Sequence, residues 1–173
     1  MCVIIYKPAG QAMPSKEILR DCYLTNRDGI GFATPDKNFH TLSFNTFMSN
    51  IKRVKTDEPC IIHFRWATHG SVKKSNCHPF VKGDIKFAHN GVLPIQSVND
   101  KTDSEIAFDN IIYPVIQKNG FMSKEADRII KKTAGSSRFA IMKGDQVELF
   151  GQWFKYDGLL FSNLNWRPWY EFN

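Results

Sequence analysis

The sequence predicts an α+β domain in which helices pack on mostly antiparallel sheets, and three observations carry that prediction. An apolar strand signal stands almost at the N-terminus, a longer, largely apolar one at residues 60–64, and beyond residue 137 the chain turns into hairpins. Helical periodicity is confined to the segments between them. That order of strands, helices and strands argues against the alternating units of a doubly wound sheet. With 173 residues, 42% hydrophobic and 23% charged, residues 1–173 are expected to form one globular domain.

Residues 3–6 read as a strand ended by Pro8. Ser15 ahead of Lys16, Glu17, Ile18 and Leu19 marks a helix start: its hydroxyl caps free N–H groups, Glu17 suits the first turn, and the helix should end near Asn26. Asp28-Gly29 is a turn signal. Residues 30–33 follow as a strand with a close backbone approach at Gly31, and 40–44 alternate at period two, so the two pair across residues 35–38. Phe47, Ile51 and Val54 share one face of a short helix. Residues 60–64 are too apolar for a one-sided strand and must be covered on both faces.

Residues 70–76 are polar and read as a loop, and 85–88 as a strand running out at Asn90-Gly91. Residues 103–118 read as a largely buried helix, bent or ended by Pro114. Ser123 caps another helix running to Lys132, with Ala126, Ile129 and Ile130 as its apolar stripe. Hairpins are expected around Lys143-Gly144-Asp145 and around Asp157-Gly158.

No apolar stretch approaches the roughly 18 residues of a membrane span, and the N-terminus lacks the pattern of a signal peptide, so no membrane association and a cytoplasmic location are expected. Cys2, Cys22, Cys60 and Cys77 are too irregularly spaced for a disulfide framework; reduced thiols are expected. The 23 Lys and Arg against 17 Asp and Glu give +6, but the excess is scattered, which favours solvated faces over a nucleic-acid surface.

Four segments carry chemistry. Removal of Met1 would leave Cys2 with a free α-amine, whose pKa of about 7.7–8.0 suits a general base beside its own thiol. On its own, Cys2 is equally a small core residue. In Arg65-Trp66-Ala67-Thr68-His69-Gly70 the arginine can fork onto a carboxylate, with Thr68 and the loop backbone as neutral donors. The plain alternative is a solvent-facing arginine beside a packed tryptophan. His89-Asn90-Gly91 offers an amide and an N–H to an oxyanion, or is a simple turn. In Thr102-Asp103-Ser104-Glu105, Asp103 binds an ammonium group or caps a helix. A zinc set from Cys60, His63, Cys77 and His78 is disfavoured because adjacent residues on an extended chain face opposite ways, so no metal is expected.

Together with Asn76-Cys77-His78-Pro79, these segments resemble, in order and spacing, the class II glutamine amidotransferase domain of the N-terminal nucleophile hydrolase superfamily, and residues 161–163 look like its closing strands. The resemblance implies a four-layer αββα sandwich, no cofactor, and hydrolysis of L-glutamine to glutamate and ammonia through a thioester. By position, Cys2 would be the nucleophile with its own amine as base, and Asn90 with Gly91 would hold the oxyanion. Arg65 would grip the α-carboxylate and Asp103 the α-ammonium, with Thr68 and His69 on the loop closing over the substrate.

There are departures. Asn26-Arg27-Asp28-Gly29-Ile30-Gly31 looks like the family's Asp-Gly-x-Gly variants, which leaves Arg27 without an expected role. Cys77 stands where alanine is usual, a second thiol expected close to the site. A synthase domain usually follows in the family, whereas this sequence stops at Asn173, so a separate ammonia-accepting synthase or transferase subunit is the expected partner. Two other readings stand beside this one. Hydrolysis of a different amide would not need Arg65 and Asp103 together, and a non-catalytic binding or regulatory protein of the same fold would show itself by salt-dependent nucleic-acid binding without turnover.

Overall fold

The structure, a computed structural model, describes residues 1–67, 70–98 and 100–167. Among these described residues ten strands form two wholly antiparallel sheets. Strands β1 (Val3–Lys7), β2 (Ile30–Ala33), β3 (Asn38–Thr41), β4 (Cys60–Phe64), β9 (Phe154–Tyr156) and β10 (Leu159–Phe161) make the first, in the order β3-β2-β4-β1-β10-β9. The second is β5 (Phe80–Lys82), β6 (Ile85–Asn90), β7 (Arg138–Lys143) and β8 (Gln146–Phe150), in sequence order.

Side chains alternate across each strand, and the alternation sorts the apolar residues into three layers. Val3, Ile5, Phe32, Ile62 and Phe64 turn outward to meet Leu19 and Cys22 of α1 (Lys16–Thr25) and Phe47 and Ile51 of α2 (Phe44–Ile51). Phe87, Phe139 and Ile141 turn outward from the second sheet. They meet Ala107 of α3 (Asp103–Ala107), Ile116 of α4 (Tyr113–Asn119) and Ala126 and Ile130 of α5 (Lys124–Ala134). Between the sheets lie Ile4, Ile61, Ala88, Ala140 and Met142. The result is the expected four-layer αββα sandwich.

Local signals account for most elements. Ser15, Ser43 and Ser123 each cap a helix by accepting an N–H from three residues on. Asp157 and Gly158 both sit at positive φ, 50° and 75°, as a two-residue β9–β10 hairpin turn requires. Gly31 is indispensable: a Cβ there would fall 2.0 Å from the His78 carbonyl oxygen. Two expectations need correcting. The helix expected to bend or end at Pro114 runs on to Gly120, because a π turn at Phe108–Ile112 precedes the proline and absorbs its missing N–H. Strand β5 was not expected; only Phe80 of its three residues is buried, which leaves too short a pattern to read. Among the described residues no helix is long and apolar enough to cross a membrane.

Candidate active site

Two residues ahead of Ile4, Cys2 sits at the end of β1 on the face turned toward the second sheet. Its sulfur accepts the Trp66 N–H at 3.3 Å and lies 3.4 Å from the Trp66 carbonyl oxygen. Its own carbonyl accepts from the Asn163 side-chain amide at 2.8 Å. Burial pushes the thiol pKa up, against the downward pull of the Trp66 hydrogen bond and of the positive charge on Arg65.

Arg65 follows the last residue of β4 and is 3% exposed. Its backbone is locked to the Asp28-Gly29 turn: Arg65 N–H donates to the Gly29 carbonyl at 2.8 Å, and Asp28 N–H to the Arg65 carbonyl at 3.0 Å. The guanidinium donates to the Ser71 and Gly70 carbonyls at 3.1 and 3.4 Å. Asp28 then reaches forward to accept the Ala67 N–H at 2.7 Å, fixing the chain just past Trp66. The alternative of an exposed arginine beside a packed tryptophan is reversed, since it is Trp66 that is 50% exposed.

Asp103 does not cap its helix. Thr102 does, accepting the Glu105 N–H at 3.2 Å, and Asp103 is released to accept from Leu93 N–H and Ser104 N–H at 2.8 Å each. Cys2, Arg65, Trp66, His78, Gly91 and Asp103 line one cleft with a free volume of about 30 Å³. Asn90, at the end of β6, lines a second cavity that also touches Cys2. Its side-chain amide donates to Ser162 Oγ at 2.8 Å while its Oδ1 is buried without a partner. Gly91 must be glycine: it holds φ +149°, and a Cβ would fall 2.2 Å from Ser137 Oγ.

Five of the seven residues expected at the site therefore gather about one thiol; Thr68 and His69 lie outside the described residues. Cys77 lies apart from the cleft lining, its sulfur packed over Gly29 and its pKa pushed up to about 11 by burial, so it is no second nucleophile. Arg27 is exposed and donates only to the Leu24 carbonyl. Cys60 faces the helix side of β4 and His63 the other sheet, so the two do not converge on an ion.

Sequence reading passed over four site residues. Asp28 was read only as a turn residue. Ser162 and Asn163 carried no local signal, because their partners lie about 160 and 70 positions away. His78 packs tilted against His63, with ring centroids 4.4 Å apart and the ring planes at 52°, and has neither ring nitrogen hydrogen-bonded. Burial, with the neighbouring positive groups, drives its pKa well down, so it is a neutral wall of the cleft.

Known proteins are similar to this chain in sequence and in fold. The chain is 27% identical over 112 residues to the glutamine–fructose-6-phosphate aminotransferase of Zymomonas mobilis, covering 55% of this chain and 18% of that protein. It is 35% identical over 94 residues to the enzyme of the same name from Buchnera aphidicola, covering 47% and 15%. The chain thus spans less than a fifth of the length of these relatives. Among solved structures, glutamine phosphoribosylpyrophosphate amidotransferase from B. subtilis aligns with a TM-score of 0.59 at 17% identity, over 93% of this chain and 41% of that one. A structure of the allosteric regulatory enzyme of purine biosynthesis aligns at 0.51 and 16% identity, over 83% and 36%. Residues 42–138 match the class-II glutamine amidotransferases as a family. That match takes in more than half of the sequence, and the chain belongs to the class II glutamine amidotransferases.

Proposed function

We propose that this chain hydrolyses the side-chain amide of L-glutamine through a thioester on Cys2. One observation carries the reading: Arg65 and Asp103, of opposite charge and both buried, line the same cleft as the Cys2 thiol. An α-amino acid presents a carboxylate and an ammonium from one carbon, and this pair of walls complements both, which a simple amide would not need.

Loss of Met1 leaves the α-amine of Cys2 to take the proton of the thiol, which burial otherwise keeps protonated. The thiolate attacks the amide carbon. Charge gathers on the carbonyl oxygen, which Gly91 N–H and the amide of Asn90 stabilise. Turning the Asn90 amide over lets Ser162 donate its hydroxyl proton to Oδ1, and brings Nδ2 to where the unpartnered oxygen now lies. The C–N bond then breaks, and ammonia leaves with a proton from the Cys2 ammonium. Water, activated by the same amine, releases glutamate and restores the thiol.

The ammonia, which bulk water would protonate, goes to a synthase or transferase subunit docked over the site. Glutamine is the substrate, and no metal or cofactor takes part in these steps. Intact-mass spectrometry after treatment with a glutamine analogue carrying an electrophilic γ-carbon tests the reading. One adduct on the Met1-processed chain, lost in Cys2→Ala, is expected; a processed chain that stays unlabelled with its acceptor subunit present overturns it.

A further inference from the structure

A second cavity touches Cys2 away from the Arg65–Asp103 cleft, and its volume is about 210 Å³. Met1, Cys2, Asn90, Gly91, Ser137 and Arg138 are among the residues that line it. Register explains the convergence. Asn90 and Arg138 are direct partners across β6 and β7, and they share a face with their neighbours Ala88 and Ala140, which look toward the first sheet. Cys2 shares the face of Ile4, which looks back at them. All three therefore meet at one end of the sandwich.

Arg138 is the one charged side chain in that lining. Among the described residues no carboxylate pairs with it. One guanidinium nitrogen donates to the Ser136 carbonyl at 3.3 Å, while Nε is buried with no partner. The side chain as a whole is half-buried, but an Nε–H that is itself buried and unmatched is costly unless a ligand meets it. Nothing in the hydrolysis of glutamine itself uses it.

We propose that this cavity is a leaving-amine subsite of the Cys2 centre, which takes γ-glutamyl amides whose amine carries a carboxylate, with Arg138 gripping that carboxylate. The proposal rests on the thioester reading above. With the amino-acid end of the substrate between Arg65 and Asp103 and the carbonyl oxygen on Asn90 and Gly91, the second cavity is a further space that opens on the thiol, and the leaving amine takes it toward Arg138. The planar guanidinium fork matches a carboxylate. The volume lies below the roughly 300 Å³ at which drug-sized pockets begin, which suits one small amino acid and excludes a nucleotide.

The chemistry balances without a further reagent. The thiolate adds to the γ-carbonyl, the C–N bond breaks, and the amine leaves neutral with a proton from the Cys2 ammonium. Water then cleaves the thioester to glutamate and thiol.

The test compares γ-glutamylglycine with γ-glutamylmethylamide on the full, Met1-processed chain, reading glutamate release. These substrates differ in the carboxylate. A kcat/KM at least about tenfold higher for γ-glutamylglycine is expected, as one charge-assisted hydrogen bond provides, with the gap closing in Arg138→Gln. Equal rates for the two substrates in the native chain overturn the proposal without recourse to any variant, as does an Arg138→Gln variant that keeps the gap. Labelling of Cys2 by the electrophilic glutamine analogue, without cleavage of γ-glutamylglycine, defeats the subsite alone. Absence of labelling removes the thioester reading and the subsite with it.

Discussion

Asn90 and Ser162 are joined across the two sheets by a 2.8 Å hydrogen bond that spans 72 residues of sequence. Ser162 Oγ also accepts the backbone N–H of Ile4 at 2.8 Å, on the strand that directly follows Cys2. One hydroxyl thus ties the nucleophile's strand to the residue proposed to hold the oxyanion. Ser162→Ala leaves both donors buried and unmatched, and should cost about 1–3 kcal/mol of stability in urea unfolding. Labelling of Cys2 should slow at the same time, whereas Ser162→Thr, which keeps the hydroxyl, should restore both. Slowed labelling with unchanged stability would show that the hydroxyl does not hold the two strands together.

The α-amine of Cys2 sets the pH dependence of the proposed acylation. It must be neutral to accept the thiol proton, so labelling should rise with pH up to about 8 and level off above, following the amine's pKa of about 7.7–8.0. A chain that keeps Met1 has an amide in place of that amine and a thiol raised by burial. Its labelling should be slower by about 10²–10⁴-fold, a typical share for a positioned base. Equal rates for the two forms would assign the base to another group.

Much of this was legible in the sequence, and the parts that were not have a common cause. Ser15 and Ser123 act within three residues of themselves, and the turn at Asp157-Gly158 closes on its own hairpin. Such features are local and leave local signals. Cys2 drew notice because it follows Met1, and Arg65, Asn90 and Asp103 because each sits in a motif at a strand end or helix start. Ser162, Asn163 and Arg138 act on residues brought beside them by sheet pairing alone, and nothing near them in the chain announces the partner. Pro114 misled for a related reason: a local rule holds until a π turn one step upstream relieves it.

Arg65 and Asp103 should separate binding from chemistry. Asp103→Asn can still accept from Leu93 N–H through its remaining carbonyl, but it no longer offers charge to an ammonium. KM for glutamine should rise roughly tenfold or more, as loss of a charged hydrogen bond implies, with a smaller change in kcat. Arg65→Lys loses the planar fork and with it the contacts to the Gly70 and Ser71 carbonyls, so it should raise KM likewise. An unaltered KM in both variants, measured by glutamate release, would remove the amino-acid grip from the reading.

A pair of carboxylates lies far from the thiol. Asp127 on α5 and Glu148 on β8 each present a buried oxygen with no donor. Partial burial and the neighbouring Asp127 raise Glu148 to about 7. A carboxyl raised on folding lends stability below its unfolded value and loses it as pH climbs through the folded one, here between about 4.5 and 7. Glu148→Gln supplies a permanent donor to Asp127. It should therefore stabilise the protein at pH 8 by up to ~1 kcal/mol, after discounting for the exposed part of the side chain, and by less at pH 5. An equal effect at the two pH values in urea titrations would show that the two carboxylates do not share a proton.

The buried histidines act in the opposite sense. Burial lowers His63 to about 3 and His89 to about 4, and holds His78 well below its ordinary value. In the unfolded chain each takes up its proton near pH 6.5, so below that pH the unfolded state binds more protons. Stability is complete above about 6.5 and falls as the pH drops toward the folded values, by about 1.4 kcal/mol per unit for each histidine. Three histidines outweigh the single opposing share of Glu148, and urea midpoints should fall steeply from pH 7 to pH 5. His78→Phe tests the source. With neither ring nitrogen hydrogen-bonded, and with Phe80 and Phe87 beside it, the imidazole gives up no bond when replaced by a benzene ring. The variant should unfold with a slope shallower by about 1.4 kcal/mol per pH unit, and an unchanged slope would mean that His78 is already charged or solvated in the folded protein.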